Sequence, residues 1–180
     1  MKNMIAWFNL VPDQEQYCAT ALSELTVILK VRYPELPEVG IMRIPTMDEA
    51  PISRVSHIAD IAGYRDNQAS DWNHANKIFG FCKGVEDFVC AAQRKNEMAV
   101  WGATWANEVA LSWIPDNKFL IWHEFMHLLF AKDCYDDGDG CQPCSEQYCL
   151  MQYAPTAQSC HDGFFLCPQA DLRIRHMNKY

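Results

Sequence analysis

Apolar and polar positions change period several times along the chain, and each change marks an element. Residues 4–11 (MIAWFNLV) are a short apolar run of the length of a buried strand. Pro12 and Asp13 end it, and Asp13 with Gln16 three residues on has the spacing of a helix capping box. Tyr17, Ala21, Leu25 and Ile28 then recur every three or four residues, which predicts a helix with one buried face, stopping before Pro34. Residues 39–44 (VGIMRI) predict a second strand, closed by Pro45. Strand, helix, strand is the pattern of two parallel strands joined by a helical crossover.

From Thr46 to Lys83 no period holds for long. Prolines and Asp/Asn-rich stretches there indicate connections around one or two short helices or strands, and no element is assigned. Residues 98–105 (MAVWGATW) and 109–114 (VALSWI) predict two strands, with Val109, Leu111 and Trp113 alternating with smaller residues and Ala106, Asn107 and Glu108 as the turn. Pro115 and Asp116 close the second, and Asp116 is a candidate cap for a helix over about 117–131. That helix is apolar nearly all round, from Phe119 to Phe130, so it is expected to run through the interior. After Asp133 the pattern breaks up into an acidic turn (DDGDG, 136–140), Cys-Gln-Pro-Cys and a cysteine-bearing tail, with a short final helix near Gln169 to Met177. The expected fold class is α+β: a mixed twisted sheet, a backing helix and a buried active-site helix, followed by a small irregular Cys-rich C-terminal lobe. One domain spanning 1–180 is expected, with an N-terminal subdomain over 1–132 and a Cys-rich one over 133–180.

The interior helix carries the chemistry. It contains HEFMH: His123 and His127 stand four apart, one turn along the same face, with Glu124 directly after the first. Two imidazoles so placed can grip one tetrahedral zinc ion, and Glu124 then lies close enough to deprotonate a water on it. Two core histidines hydrogen-bonded to neighbours would show the same spacing. The helix's burial favours the metal, because buried polar groups without partners cost several kcal/mol. Catalytic zinc normally takes three protein ligands. Asp133, six residues past His127 and just beyond the apolar pattern, is the candidate third if the chain turns sharply there.

Nine cysteines change the picture further. Six follow the helix: Cys134, Cys141, Cys144, Cys149, Cys160 and Cys167. They are either a disulfide staple set or a second, structural zinc site; a cytosolic location favours zinc and a secreted one disulfides. The net charge of −8 argues against nucleic acid or an anionic membrane as partner, since either calls for a basic face. No stretch approaches the roughly 20 apolar residues that span a bilayer. The DDGDG turn does not fit the ligand register of a helix–loop–helix calcium site. Among the other histidines only His161, next to a cysteine, is a candidate structural-zinc ligand.

His123, Glu124, His127 and Asp133, followed by Cys-Leu-Met-Gln-Tyr at 149–153, resemble the metzincin clan of zinc peptidases. Its extended motif is HExxHxxGxxH, with Asp as the last ligand in some members, and a later turn places a methionine beneath the metal, often with a tyrosine two residues on. Here these are Met151 and Tyr153. Within the clan the chain is most similar to archaemetzincins, in which four cysteines hold a structural zinc: one after the third ligand, one in Cys-x-Met, and two in a later Cys-x-x-Cys. Cys134, Cys149 and Cys167 take three of these places, and Ala170 stands in the fourth. The resemblance covers about 50 residues specifically. Three departures accompany it: Asp133 for histidine, Phe130 for the glycine that permits the turn, and a longer stretch between Cys134 and Cys149 that brings Cys141 and Cys144. One of these, or Cys160, is expected to replace the ligand missing at Ala170.

The resemblance implies a zinc metallopeptidase, an endopeptidase or aminopeptidase. Zn2+ would sit on His123, His127 and Asp133, Glu124 would be the base for a zinc-bound water, Tyr153 would steady the oxyanion and Met151 would support the site. A strand before the helix, 98–105 or 109–114, would pair with extended substrate. The partner is then a peptide or protein substrate, with no nucleic acid or membrane, and a monomer is expected. The N-terminus reads as a strand rather than a signal peptide, so a cytoplasmic location is expected, or a secreted one if the cysteines pair as disulfides. Two other readings stand beside this one: a catalytically silent zinc-binding module that recognises peptides, and a disulfide-stapled secreted domain in which HEFMH is coincidental.

Overall fold

A computed structural model of the chain describes residues 3–66, 75–88, 101–113, 118–134, 149–152 and 166–178. Strand β1 (Asn3–Asn9) lies between β2 (Val39–Arg43) and β3 (Lys77–Cys82), parallel to both. β5 (Val109–Trp113) continues the sheet parallel to β3, and β4 (Gly102–Trp105) closes it antiparallel to β5, for the order β2-β1-β3-β5-β4. Helix α1 (Glu15–Arg32) is the crossover between β1 and β2, as the alternation of patterns predicts.

Residues one apart on each strand enter different layers. Ile5, Trp7, Phe79, Phe81 and Ala110 face α1, α4 (Lys118–Leu128) and α5 (Pro168–Met177). Ala6, Phe8, Ile78, Val109 and Leu111 face α2 (Thr46–Ile52) and α3 (Ile58–Asp66). The α1 contribution to the first layer is Cys18, Ala21, Leu22, Leu25 and Leu29, a helical stripe, and each fully buried leucine there stabilises by about 1.5–3 kcal/mol. Trp122 Nε1 donates to the Ala21 carbonyl at 2.8 Å, fastening α4 across α1.

The capping box expected at Asp13 does not form. Asp13 lies inside a 3-10 turn (Pro12–Gln14), and Gln14 occupies the cap with no side-chain hydrogen bond there. Asn9 orders the entry instead, accepting from Val11 N at 2.9 Å and donating to Val11 O at 3.0 Å. The hairpin between β4 and β5 turns at Ala106 and Asn107, both with positive φ (51° and 57°), and Glu108 N closes it on Trp105 O at 2.9 Å. Two positive-φ residues make a type I′ turn, whose twist matches the strands it joins. The expected cap at Asp116 lies outside the described residues.

Candidate metal centre

His123 and Glu124 face the interior of α4, with 3% and 6% of their surface exposed. The helix ends at Leu128, one residue after His127. Phe130 N bonds His127 O at 3.0 Å and Ala131 N bonds Met126 O at 3.1 Å, the paired closure of a Schellman motif. The left-handed position that glycine usually fills belongs to Phe130, at φ 68°. The turn is therefore made at Phe130 itself. A non-glycine residue pays about 1–2 kcal/mol in this region, so the surroundings must hold it. Lys77 Nζ stands 4.5 Å over its ring, and Arg173 Nε donates to its carbonyl at 2.8 Å. Asn178 Nδ2 takes the Leu129 carbonyl at 2.9 Å, and Asn107 Nδ2 takes that of His127 at 2.7 Å. Lys77, Asn107, Arg173 and Asn178 carry no motif, and their roles were not legible from sequence.

The turn sends the chain back along α4. Asp133 Oδ1 comes to 3.0 Å from His123 Nε2 and 3.4 Å from His127 Nε2. The far nitrogen of each ring is already committed: His123 Nδ1 lies 2.8 Å from the Leu150 carbonyl and His127 Nδ1 2.9 Å from that of Ala131. A carbonyl only accepts, so each Nδ1 carries a proton, and each ring turns its Nε2 towards Asp133. Three ligand atoms thus converge, and the buried Asp133 Oδ1 has no hydrogen-bond donor among the described residues. Such a cluster is repulsive without a cation between its members. Tetrahedral zinc with bonds of about 2.0–2.1 Å separates its ligands by about 3.3–3.4 Å, so the spacing and chemistry of these donors fit zinc.

Without a metal, a proton takes that place. Burial works against a charged His127, but the Asp133 carboxylate outweighs it and holds the ring up at about 9. Burial opposes ionisation of Asp133 too, yet the two imidazoles hold it well below the usual carboxylate range. Burial pushes Glu124 up. Its carboxyl lies against the backbone of Gly102 in β4, a neighbour that sequence reading did not single out.

The turn at 149–152 joins this centre to a second cluster. Leu150 supplies the carbonyl for His123, Met151 is fully buried in the same core, and Met151 O accepts from Cys134 N at 2.8 Å. Cys134 Sγ lies 3.5 Å from Cys167 Sγ and 3.7 Å from Cys149 Sγ, and none of the three forms a disulfide. Thiolates at about 2.3 Å from a tetrahedral zinc stand about 3.8 Å apart, so this trio also suits a metal. The neighbouring Cys134 thiol and the Cys167 N–H, 3.2 Å away, draw Cys149 down to about 6 against burial, while burial pushes Cys167 up. Ala170, in the first turn of α5, is buried and offers no donor. Tyr153, Cys141, Cys144, Cys160 and His161 lie outside the described residues.

A separate recess of about 310 Å³, lined by Tyr33, Leu36, Val39 and Leu129 among others, includes none of these donors. Among the described residues no helix is long and apolar enough to cross a membrane.

No protein-family model matches the sequence, and no curated protein matches it. The fold, however, is similar to that in the crystal structure of archaemetzincin from Methanopyrus kandleri, with a TM-score of 0.58 over 99% of this chain and 97% of that one, at 8% identity. The chain therefore has an archaemetzincin-like α+β fold: a five-stranded mixed sheet between helices, with a cysteine cluster near its C-terminus.

Proposed function

We propose that this chain is a zinc-dependent peptidase, with His123, His127 and Asp133 as the ligands of the catalytic ion and Glu124 as its general base. The observation that carries the reading is that Asp133 Oδ1 lies 3.0 Å from His123 Nε2 and 3.4 Å from His127 Nε2, beside the buried Glu124 carboxyl. The archaemetzincin-like fold supports the same class. Zinc, when bound, brings the pKa of a coordinated water towards about 7 and polarises the scissile carbonyl.

The protein's own groups do the rest. Glu124 accepts a proton from the attacking water and returns it to the leaving amine, a double task that suits a carboxyl raised by burial. The Leu150 and Ala131 carbonyls hold both rings in the Nδ1–H tautomer, keeping Nε2 free to bind metal. Substrate in extended form pairs with β4, because β5 is enclosed between β3 and β4 while β4 is the outer strand among the described residues. Trp101, Trp105 and Trp113 are partly exposed around that edge and offer apolar surface to substrate side chains. Tyr153 is assigned to the developing oxyanion. Cys134, Cys149 and Cys167, with a fourth ligand from Cys141, Cys144 or Cys160, hold a structural zinc.

The test is Glu124→Gln. It should keep zinc and lose cleavage of peptide substrates by orders of magnitude. A variant that cleaves like the parent removes Glu124 from the chemistry. A parent that retains zinc and cleaves no peptide points instead to a zinc-binding recognition module.

A further inference from the structure

We infer that Gly102 is a positioning residue for the general base: the bare Cα of edge strand β4 forms the seat of the Glu124 carboxylate, and no residue with a side chain can stand there while Glu124 is in place. The inference rests on the peptidase reading for its functional meaning and on geometry for its substance. A Cβ at position 102 would lie 1.8 Å from Glu124 Cδ and Oε1 and 2.4 Å from Oε2, inside any van der Waals contact. The carboxylate occupies the volume that a side chain would fill.

Glycine weakens a strand and marks places where another group approaches the backbone closely. Gly102 pairs with Ser112 in the antiparallel ladder, so its backbone is fixed by the sheet. Glu124 is fixed by α4, between the two histidines. The contact therefore joins the base to the strand along which substrate is expected to lie. Substrate paired to the outer edge of β4 and the base resting on β4 share one rigid element, which sets the distance between the scissile bond and the proton acceptor. A 1 Å misplacement of a catalytic group can cost about 100-fold in rate.

The carboxyl is the mobile end of its side chain, so a methyl group at 102 evicts it rather than breaking the strand. In the zinc-loaded full chain, Gly102→Ala should lower kcat by about 100-fold or more while zinc content stays unchanged and KM moves by no more than about twofold. Glu124→Asp, one methylene shorter, withdraws from the clash. It should lower kcat in the parent yet raise it in the Gly102→Ala background, a rescue that general loosening of the strand does not produce. A thermal-unfolding cycle provides a readout independent of activity. Gly102→Ala should lower Tm by about 5 °C in the parent and leave it unchanged or higher in Glu124→Ala, where the seat is empty.

Equal Tm changes in both backgrounds, or a Gly102→Ala chain with parental kcat, overturn the inference and leave the peptidase reading standing. A parent that holds zinc but cleaves no peptide overturns the peptidase reading, and the unfolding cycle then decides alone whether Gly102 places Glu124.

Discussion

Replacing Phe130 by glycine and by alanine should reverse the usual ranking of those two residues. Inside a helix alanine is the more stabilising by about 1 kcal/mol. At φ 68°, just past the end of α4, any Cβ meets the neighbouring carbonyl and costs about 1–2 kcal/mol, which glycine escapes. Both substitutions lose the same ring, half-buried and capped by Lys77 at 4.5 Å, a contact worth about 0.5–2 kcal/mol. Alanine keeps the strain and loses the ring, so it should destabilise by about 1–3 kcal/mol. Glycine loses the ring and sheds the strain, so it should stay within about 1 kcal/mol of the parent, offset slightly by the entropy of its freer unfolded chain. The gap of about 1 kcal/mol between them corresponds to about 2–4 °C in Tm for a chain of 180 residues. Thermal unfolding followed by circular dichroism, with urea titration as a check, measures it. The glycine variant should also keep its zinc, because the same turn still delivers Asp133. An alanine variant as stable as the glycine variant would refute the account of how the turn is held.

Lys77 is buried, and burial pushes its ammonium down to about 8 from an ordinary 10.5. The unfolded chain then binds the extra proton between those values, so Lys77 contributes a rise in stability with pH from about 8 to 10.5, on the order of 3 kcal/mol. Lys77→Met should flatten that rise in urea titrations compared at pH 7.5 and 10; identical pH slopes in parent and variant would contradict it. Cys149→Ser should reduce bound zinc from two ions per chain to one and lower Tm, as measured by elemental analysis and calorimetry, whereas an unchanged zinc count would dissolve the structural site. Asp133→Ala should weaken the remaining zinc by more than about 100-fold in chelator competition, beyond the effect of losing an outer partner, and an unchanged affinity would remove Asp133 from the ligand set.

Much of this arrangement was legible in the sequence because it is local. HEFMH needs only the helical period to align His123, Glu124 and His127. Asp133 needs only a sharp turn after an apolar helix. The β1–α1–β2 unit is legible from the switch between a strand-like run and a helical stripe. What was not legible depends on distant pairings. β3 lies at the centre of the sheet, buried on both faces, so KIFGFC lacks the alternation that marks a strand with one wet face. α2 carries Pro51 inside it, and α3 is short, so neither shows a sustained helical period. Phe130 stands visibly in the place of a turn-making glycine, but what holds it at positive φ was not legible, because its supports, Lys77, Arg173 and Asn107, come from three other parts of the chain. Gly102 is one of eight glycines, and only folding reveals the carboxylate against it. The three cysteines that meet were the ones matched by spacing to a known pattern, while candidates for a fourth had no such guide.

Zinc-edge anomalous diffraction from crystals of the zinc-loaded chain tests the central claim most directly. An ion should appear about 2.0–2.2 Å from His123 Nε2, His127 Nε2 and an Asp133 carboxylate oxygen at once, with Glu124 uncoordinated beside it. An ion bound elsewhere, or none at the point where those three atoms converge, would contradict it.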